Sequence, residues 1–269
     1  MRLLLFLFTV LPVCAAQLPL RVGEMLTYSV GWGIFPHAGE IRIAATADTS
    51  DQKPEVVITT ITSTRGFLGR VFPFEARADS VFDGITNRMI IHTEKSFSGK
   101  KTTSSVLQFD YEKSTAAYTD MVEAQKSQTV AIPGPDHPQD LIGSLIQTRT
   151  WDLKPGESRD ANVIFENEIY QLTIHAMRYE KLRTSLGTFN TLVFEPRMEK
   201  TPPKGMFKRG SNVHVWISQD GERLPVRFEV DFKFGAGVAT LTGYESPPPS
   251  KVMASGPAGA SEDAKNSRP

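Results

Sequence analysis

Five histidines, one cysteine and a large set of carboxylates are the residues that could do chemistry, so their spacing comes first. His37, His92, His137, His175 and His214 are scattered along the chain. None lies in a His-Glu-x-x-His pattern and no two stand at metal-ligand spacing, so no metal site is expected. His92-Thr-Glu94 has the outline of half a zinc deaminase motif, but that chemistry also needs two cysteines. The only cysteine is Cys14. His214, between Val213 and Val215, reads as a strand histidine with a satisfied ring rather than a ligand.

Nucleophile and phosphate motifs fare no better. No Gly-x-Ser-x-Gly elbow is present, and Ser144 follows Gly143 inside a helical pattern. Ser98-Gly-Lys-Lys-Thr-Thr103 lacks the first glycine of a phosphate loop and joins two apolar alternating runs, as a hairpin turn does. Gly235-Ala-Gly237 precedes a strand-like Val-Ala-Thr-Leu-Thr and not a helix, so it reads as a bulge or tight bend. Glu229 and Asp231 alternate with Arg227 and Lys233, which is the pattern of a neutralised wet face. No catalytic residue and no cofactor is expected from these patterns.

Two stretches are candidates for contact with a ligand or a surface. Lys200-Thr-Pro-Pro-Lys-Gly-Met-Phe-Lys-Arg-Gly210 carries four cations beside two large apolar side chains. Lys204, Met206, Phe207, Lys208 and Arg209 would there form a lid, a contact for an anionic lipid or glycan surface, or merely a solvated hairpin tip. Gly66-Phe67-Leu68-Gly69 followed by Phe72-Pro73-Phe74 would place Phe67, Phe72 and Phe74 at a cavity mouth or in the core.

The elements that position these residues are strands. Leu26, Tyr28, Val30 and Trp32 alternate with Thr27, Ser29 and Gly31, a period of two that marks one buried face. Ile41, Ile43 and Ala45 follow, then Val56 to Ser63, then Met89 to Phe97 after an Asp83-Gly84 turn. Leu107, Phe109 and Tyr111 share one face, and Tyr170, Leu172, Ile174 and Ala176 another. Val226, Phe228, Val230, Phe232 and Phe234 alternate with charged residues, as in an antiparallel sheet with one core face and one wet face. One segment breaks the period. Asp136-His-Pro-Gln139 resembles a capping box, with Leu141, Ile142, Leu145 and Ile146 at helical spacing and Lys154-Pro155-Gly156 as the stop. The expected fold is all-β and mainly antiparallel: a large curved sheet, open barrel or sandwich with one short packed helix.

Compartment and boundaries follow from the ends. Met1-Arg2, the apolar run Leu3 to Val13 and the small residues up to Ala16 have the layout of a cleaved signal peptide. The run is too short to span a bilayer, and lipidation at Cys14 fits poorly because bulky Val13 precedes it. A leader over 1–16, a single β-rich domain over 17–245 and a disordered tail over 246–269 are expected, the tail because it is Pro/Gly/Ala/Ser-rich and poor in apolar groups. Removal of the leader would leave no thiol, consistent with a periplasmic or secreted protein stabilised by core burial and with no transmembrane segment. With Lys+Arg 30 against Asp+Glu 30 in 269 residues, there is no basic surplus to recruit nucleic acid.

The residues also carry a family resemblance. Gly23-Glu-Met-Leu-Thr-Tyr-Ser-Val-Gly-Trp32 with Ala38-Gly39-Glu40, Gln139-Asp140-Leu-Ile-Gly-Ser144 with Arg149, Pro155-Gly156, Leu186-Gly187-Thr188-Phe189 with Glu195, and Val215-Trp216-Ile217-Ser218-Gln-Asp220 with Leu224-Pro225-Val226 resemble bacterial domain-of-unknown-function family 3108. The resemblance implies an exported, single-domain β protein and assigns no residue a catalytic role; Asp140 and Arg149 stand out as a helix cap and an ion-pair member. Three functions remain in order: a binding module for a lipid or other amphipathic ligand, an envelope scaffold meeting a protein partner, and a hydrolase assembled only on folding.

Overall fold

A computed structural model describes residues 17–48, 53–134, 137–165, 167–203, 207, 211–232 and 235–247. The expected leader, most of the expected tail, and Asp136 fall outside these residues.

The chain runs up and down through short hairpins. The first half contributes β1 (Met25–Trp32), β2 (Phe35–Asp48), β3 (Glu55–Thr64), β4 (Phe74–Asp83), β5 (Met89–Ser98), β6 (Lys101–Asp110), β7 (Thr115–Asp120) and β8 (Gln128–Ala131). The second contributes β9 (Gln139–Asp140), β10 (Ser158–Phe165), β11 (Glu168–Thr184), β12 (Gly187–Arg197), β13 (Val213–Ser218), β14 (Pro225–Phe232) and β15 (Gly235–Glu245). The spatial order is β8 to β1, then β15 back to β9, in a single fifteen-stranded sheet. First and last strands therefore pair at its centre, Leu26 opposite Tyr244 and Val30 opposite Ala239. All pairings are antiparallel except that of the two-residue β9 with β10.

This order forces the sheet to curl. Fourteen strand spacings would put the two edges about 67 Å apart in a flat sheet. Yet β8 and β9, at opposite edges, are joined by a link from Ala131 to Gln139, whose eight steps reach at most about 29 Å. The edges do meet. Gln128 Nε2 donates to the Asn167 carbonyl at 2.8 Å, and Asn162 Nδ2 donates to the Pro133 carbonyl at 2.7 Å. The result is a barrel-like wall whose seam is bridged by side chains.

The period-two pattern decides which residues face inward. Leu26, Tyr28, Ile43, Ile58, Phe82, Met89 and Leu107 are buried in one cluster, and Leu172, Ile174, Leu192, Phe194, Val215 and Ile217 in another. Each such side chain contributes roughly 1.5–3 kcal/mol on leaving water. The charged face of β14 is drier than its sequence suggests. Arg227 and Glu229 pair at 2.7 Å while only 30% and 24% exposed, and Arg227 lies over the Trp216 ring at 5.2 Å.

Two α-helices interrupt the strands. The expected one is α2 (Leu141–Gln147), but its cap is Asp140, whose Oδ1 accepts from the Gly143 N–H at 2.8 Å. The helix starts directly after β9, so a cap at Asp136 would come a full turn too early. The other, α1 (Gly66–Val71), fills the β3–β4 connection; its two glycines and six residues leave no helical apolar stripe to read.

Candidate functional site: an apolar cavity under the central helix

Helix α2 lies inside the curled sheet and is pinned at both ends by buried polar contacts. At its start, Ser80 Oγ donates to Asp140 Oδ2 at 3.0 Å and also meets His92 Nδ1 at 2.9 Å. Because the serine proton is given to the carboxylate, the imidazole must supply its Nδ1–H to the serine oxygen. A hydrolytic triad runs the other way, with the serine giving its proton to histidine. Ser80 is only 2% exposed, so this relay holds the helix cap and offers no accessible nucleophile.

Beyond the end of α2, Arg149 is held in a single-turn 3-10 segment. Its Nη1 donates to Glu24 Oε1 at 2.8 Å, its Nη2 to the Glu222 carbonyl at 2.5 Å and its Nε to the Arg223 carbonyl at 3.1 Å. Glu24 is fully buried and Arg149 nearly so. Burial raises the Glu24 carboxyl's pKa, but the Arg21 backbone N–H and the Arg149 guanidinium outweigh it and hold the group below its ordinary value. Arg21 adds a second cation to Glu24 at 3.3 Å and is itself bound by Glu222. A buried charge satisfied on this many sides fixes one geometry, whatever its net worth in stability.

Between helix and wall lies an apolar cavity of about 220 Å³. Leu141, Ile142 and Leu145 form its roof; Tyr28, Val30 and Trp32 of β1 with Ile41 and Ile43 of β2 form one side. Val213, Phe228, Val230, Gly237 and Ala239 from β13, β14 and β15 form the other. Strand register builds this directly. Val230 stands opposite Gly237, and Phe228 opposite Ala239, so large side chains face small ones and space is left between them. Tyr28 meets Phe228 edge to face at 5.3 Å and spends its hydroxyl on the Pro225 carbonyl at 2.7 Å. Burial pushes that phenol well above its usual pKa, so it stays neutral. The volume is below the roughly 300–1,000 Å³ of pockets for drug-sized ligands and suits a slender apolar group.

Of the lining residues, Trp32, which ends β1, is 40% exposed. The residues singled out for contact lie elsewhere. Phe67 and Phe72 are exposed at and just after α1 and Phe74 is half-buried at the start of β4; none of them lines this cavity. Phe207 is buried in the second core cluster, which corrects its reading as an exposed contact: an apolar ring beside packed strands gains more from burial than from water. Lys204, Met206, Lys208 and Arg209 lie outside the described residues. The sequence shows the cavity-lining residues only as members of alternating runs or of the helical stripe, because what faces what depends on the pairing of β1 with β15. Among the described residues no group of three or more His, Cys, Asp or Glu could hold a metal, and no helix is long and apolar enough to cross a membrane.

The model of a protein family of unknown function, DUF3108, matches residues 27–242, from within β1 to within β15. The chain belongs to the DUF3108 family. The match spans both sides of the cavity and the helix that roofs it, so the architecture described above is that of a DUF3108 domain. No curated protein matches the chain. Among solved structures, a β-barrel-like protein of the domain of unknown function DUF1849 from Brucella abortus is similar over 83% of this chain and 97% of its own, with a TM-score of 0.54 and 7% identity. That likeness shows a shared barrel-like fold. A candidate exported protein with a YmcC-like fold from Bacteroides fragilis aligns over 87% of this chain and 100% of its own, with a TM-score of 0.36 and 13% identity.

Proposed function

We propose that this DUF3108 protein is an exported, non-catalytic binding module that takes the alkyl chain of an apolar or amphipathic ligand, such as a lipid, into the cavity under α2. The observation that carries this reading is the lining itself. Its side chains are aliphatic or aromatic, and its one titratable group, Tyr28, is neutral with its hydroxyl already engaged. Such a lining gains from excluding water and offers no acid, base or nucleophile to a bound molecule. Export to the periplasm or beyond is supported by the leader-like layout of residues 1–16.

The test is extraction. Protein purified after export by its own leader, without detergent, is treated with organic solvent and the extract analysed by mass spectrometry. The proposal expects an alkyl-chain compound approaching one equivalent per chain. Extracts that match a buffer blank, together with no uptake of added fatty acid, would overturn it.

A further inference from the structure

The exposed large apolar residues are not spread evenly over the molecule. The strands alternate in direction, so the β1–β2, β3–β4, β5–β6 and β7–β8 connections all emerge at one end of the sheet. Trp32 and Ile34, then Phe67, Val71 and Phe72, then Phe97, then Met121 and Val122 belong to these connections or the strand ends beside them. Among the described residues, only Val22, Ile85, Tyr179 and Leu186 are comparably exposed elsewhere. One end of the wall thus carries an apolar rim.

Folding does not ask for these side chains. Ile34 occupies a two-residue turn after Gly33, whose φ is +55°, and it is 88% exposed. Turns of this kind favour Gly, Asn and Asp, and an isoleucine there buries nothing. Phe67 and Phe72 are 63% and 67% exposed, although Phe67 stacks on Phe35 with centroids 6.0 Å apart. Large apolar side chains gathered at one end of the molecule mark a binding surface.

Charge at the same end points to the occupant. Arg70, Lys100 and Lys101 are exposed there, and no ion pair to them is found among the described residues. The neighbouring carboxylates Glu40 and Glu123 are engaged by Arg65 at 3.1 Å and Lys126 at 2.6 Å, while Glu75 at the start of β4 and Glu94 within β5 are the exposed acids beside them. Large apolar tips interleaved with free cations match the interfacial zone of an anionic bilayer, where rings sink to the headgroup level and cations meet phosphates. A soluble protein partner would not call for large apolar side chains spread over four separate connections. Trp32, which lines the cavity, is one of the exposed residues of this rim.

We infer that the rim formed by the β1–β2, α1, β5–β6 and β7–β8 connections docks the protein onto an anionic lipid bilayer, with the Trp32 end of the cavity turned towards the membrane. This goes beyond the ligand-binding reading and, Trp32 apart, stands on separate residues.

Vesicle flotation tests it. Vesicles of phosphatidylglycerol and phosphatidylethanolamine should float the protein, neutral phosphatidylcholine vesicles at least tenfold less. Ile34→Asp/Phe67→Asp/Phe72→Asp should abolish flotation while leaving circular dichroism and urea unfolding near wild type, since all three side chains face water. Lys100→Ala/Lys101→Ala should weaken it on the order of tenfold and flatten its salt dependence. Val230→Trp, which plugs the cavity, should float normally, so failure of the ligand reading and failure of this one are separable. No flotation on anionic vesicles at low salt, or undiminished flotation of the triple variant, overturns the proposal. So does a dimer, seen by sedimentation, that the triple variant dissociates while vesicle binding is absent, since the rim would then cover a second copy of this chain.

Discussion

Replacing Glu24 with Gln isolates the charge at the buried junction of β1, the end of α2 and the β13–β14 turn. Glutamine keeps the shape and one carbonyl acceptor for Arg149 Nη1, so what is lost is the negative charge beside a guanidinium only 7% exposed and the second acceptor, which takes the Arg21 N–H at 2.9 Å. Two unit charges about 4 Å apart interact by roughly 4 kcal/mol at an effective dielectric near 20. Breaking a buried pair from one side typically costs about 3–5 kcal/mol. The retained Glu222 and Arg223 carbonyls, 2.5 and 3.1 Å from Arg149, put the expected cost at the lower end, about 3 kcal/mol. With a urea dependence of about 3 kcal/mol/M for a domain of this size, the unfolding midpoint should fall by about 1 M. Tryptophan fluorescence against urea at pH 7 reads it. Adding Arg149→Met should restore most of the loss, because the stranded cation is removed with its partner.

The sign with pH follows from the lowered pKa of Glu24. Unfolded, the carboxyl titrates near about 4.3. Its contribution is therefore complete above that value and disappears as pH falls towards the lower folded-state value. Wild type should exceed Glu24→Gln by a constant margin from pH 7 to about 5, and the two should converge below. A midpoint shift under about 0.2 M, or a double variant no better than the single, would refute the assignment of Glu24–Arg149 as the clamp.

Other positions give sharper local outcomes. Asp140→Ala removes both the cap on Gly143 and the acceptor for Ser80, and should cost about 2 kcal/mol in urea unfolding while Asp140→Asn costs less. Gly84→Ala would bring a Cβ to 2.5 Å from the Pro54 carbonyl oxygen, so it should destabilise by about 1–3 kcal/mol, whereas Gly156→Ala meets no atom within 4 Å and should lose only what its φ of +95° costs. Tyr28→Phe strands the Pro225 carbonyl in the interior and should cost about 1 kcal/mol without closing the cavity, as calorimetry can show.

Much of the fold can be read from the residues alone because a half-buried strand writes its inner face every second position. Tyr170, Leu172, Ile174 and Ala176 are read as one face, and all four are buried. The helix is legible from Leu141, Ile142, Leu145 and Ile146, but its cap is not: Asp136 and Asp140 both offer a short acceptor, and only the place where β9 ends chooses between them. Helix α1 leaves too little pattern in six residues to be seen. The cavity is illegible for a different reason. Val230 opposite Gly237 is a local hairpin pairing, but what sets Val30 and Trp32 beside Ala239 and Gly237 is the pairing of the first strand with the last, far apart in sequence. Phe207 shows the limit of reading exposure from neighbours, since the cations around it suggest a wet loop and the ring is buried.

The central claim is that the space beneath α2 receives an alkyl chain. Its most direct test is a titration of delipidated protein with a fluorescent fatty acid, run beside Val230→Trp, whose indole would occupy the gap left by Gly237. The account predicts saturable binding at one site per chain for the wild type and none for the variant, with both proteins folded by circular dichroism. Equal binding by the two, or no saturable signal from either, would contradict it.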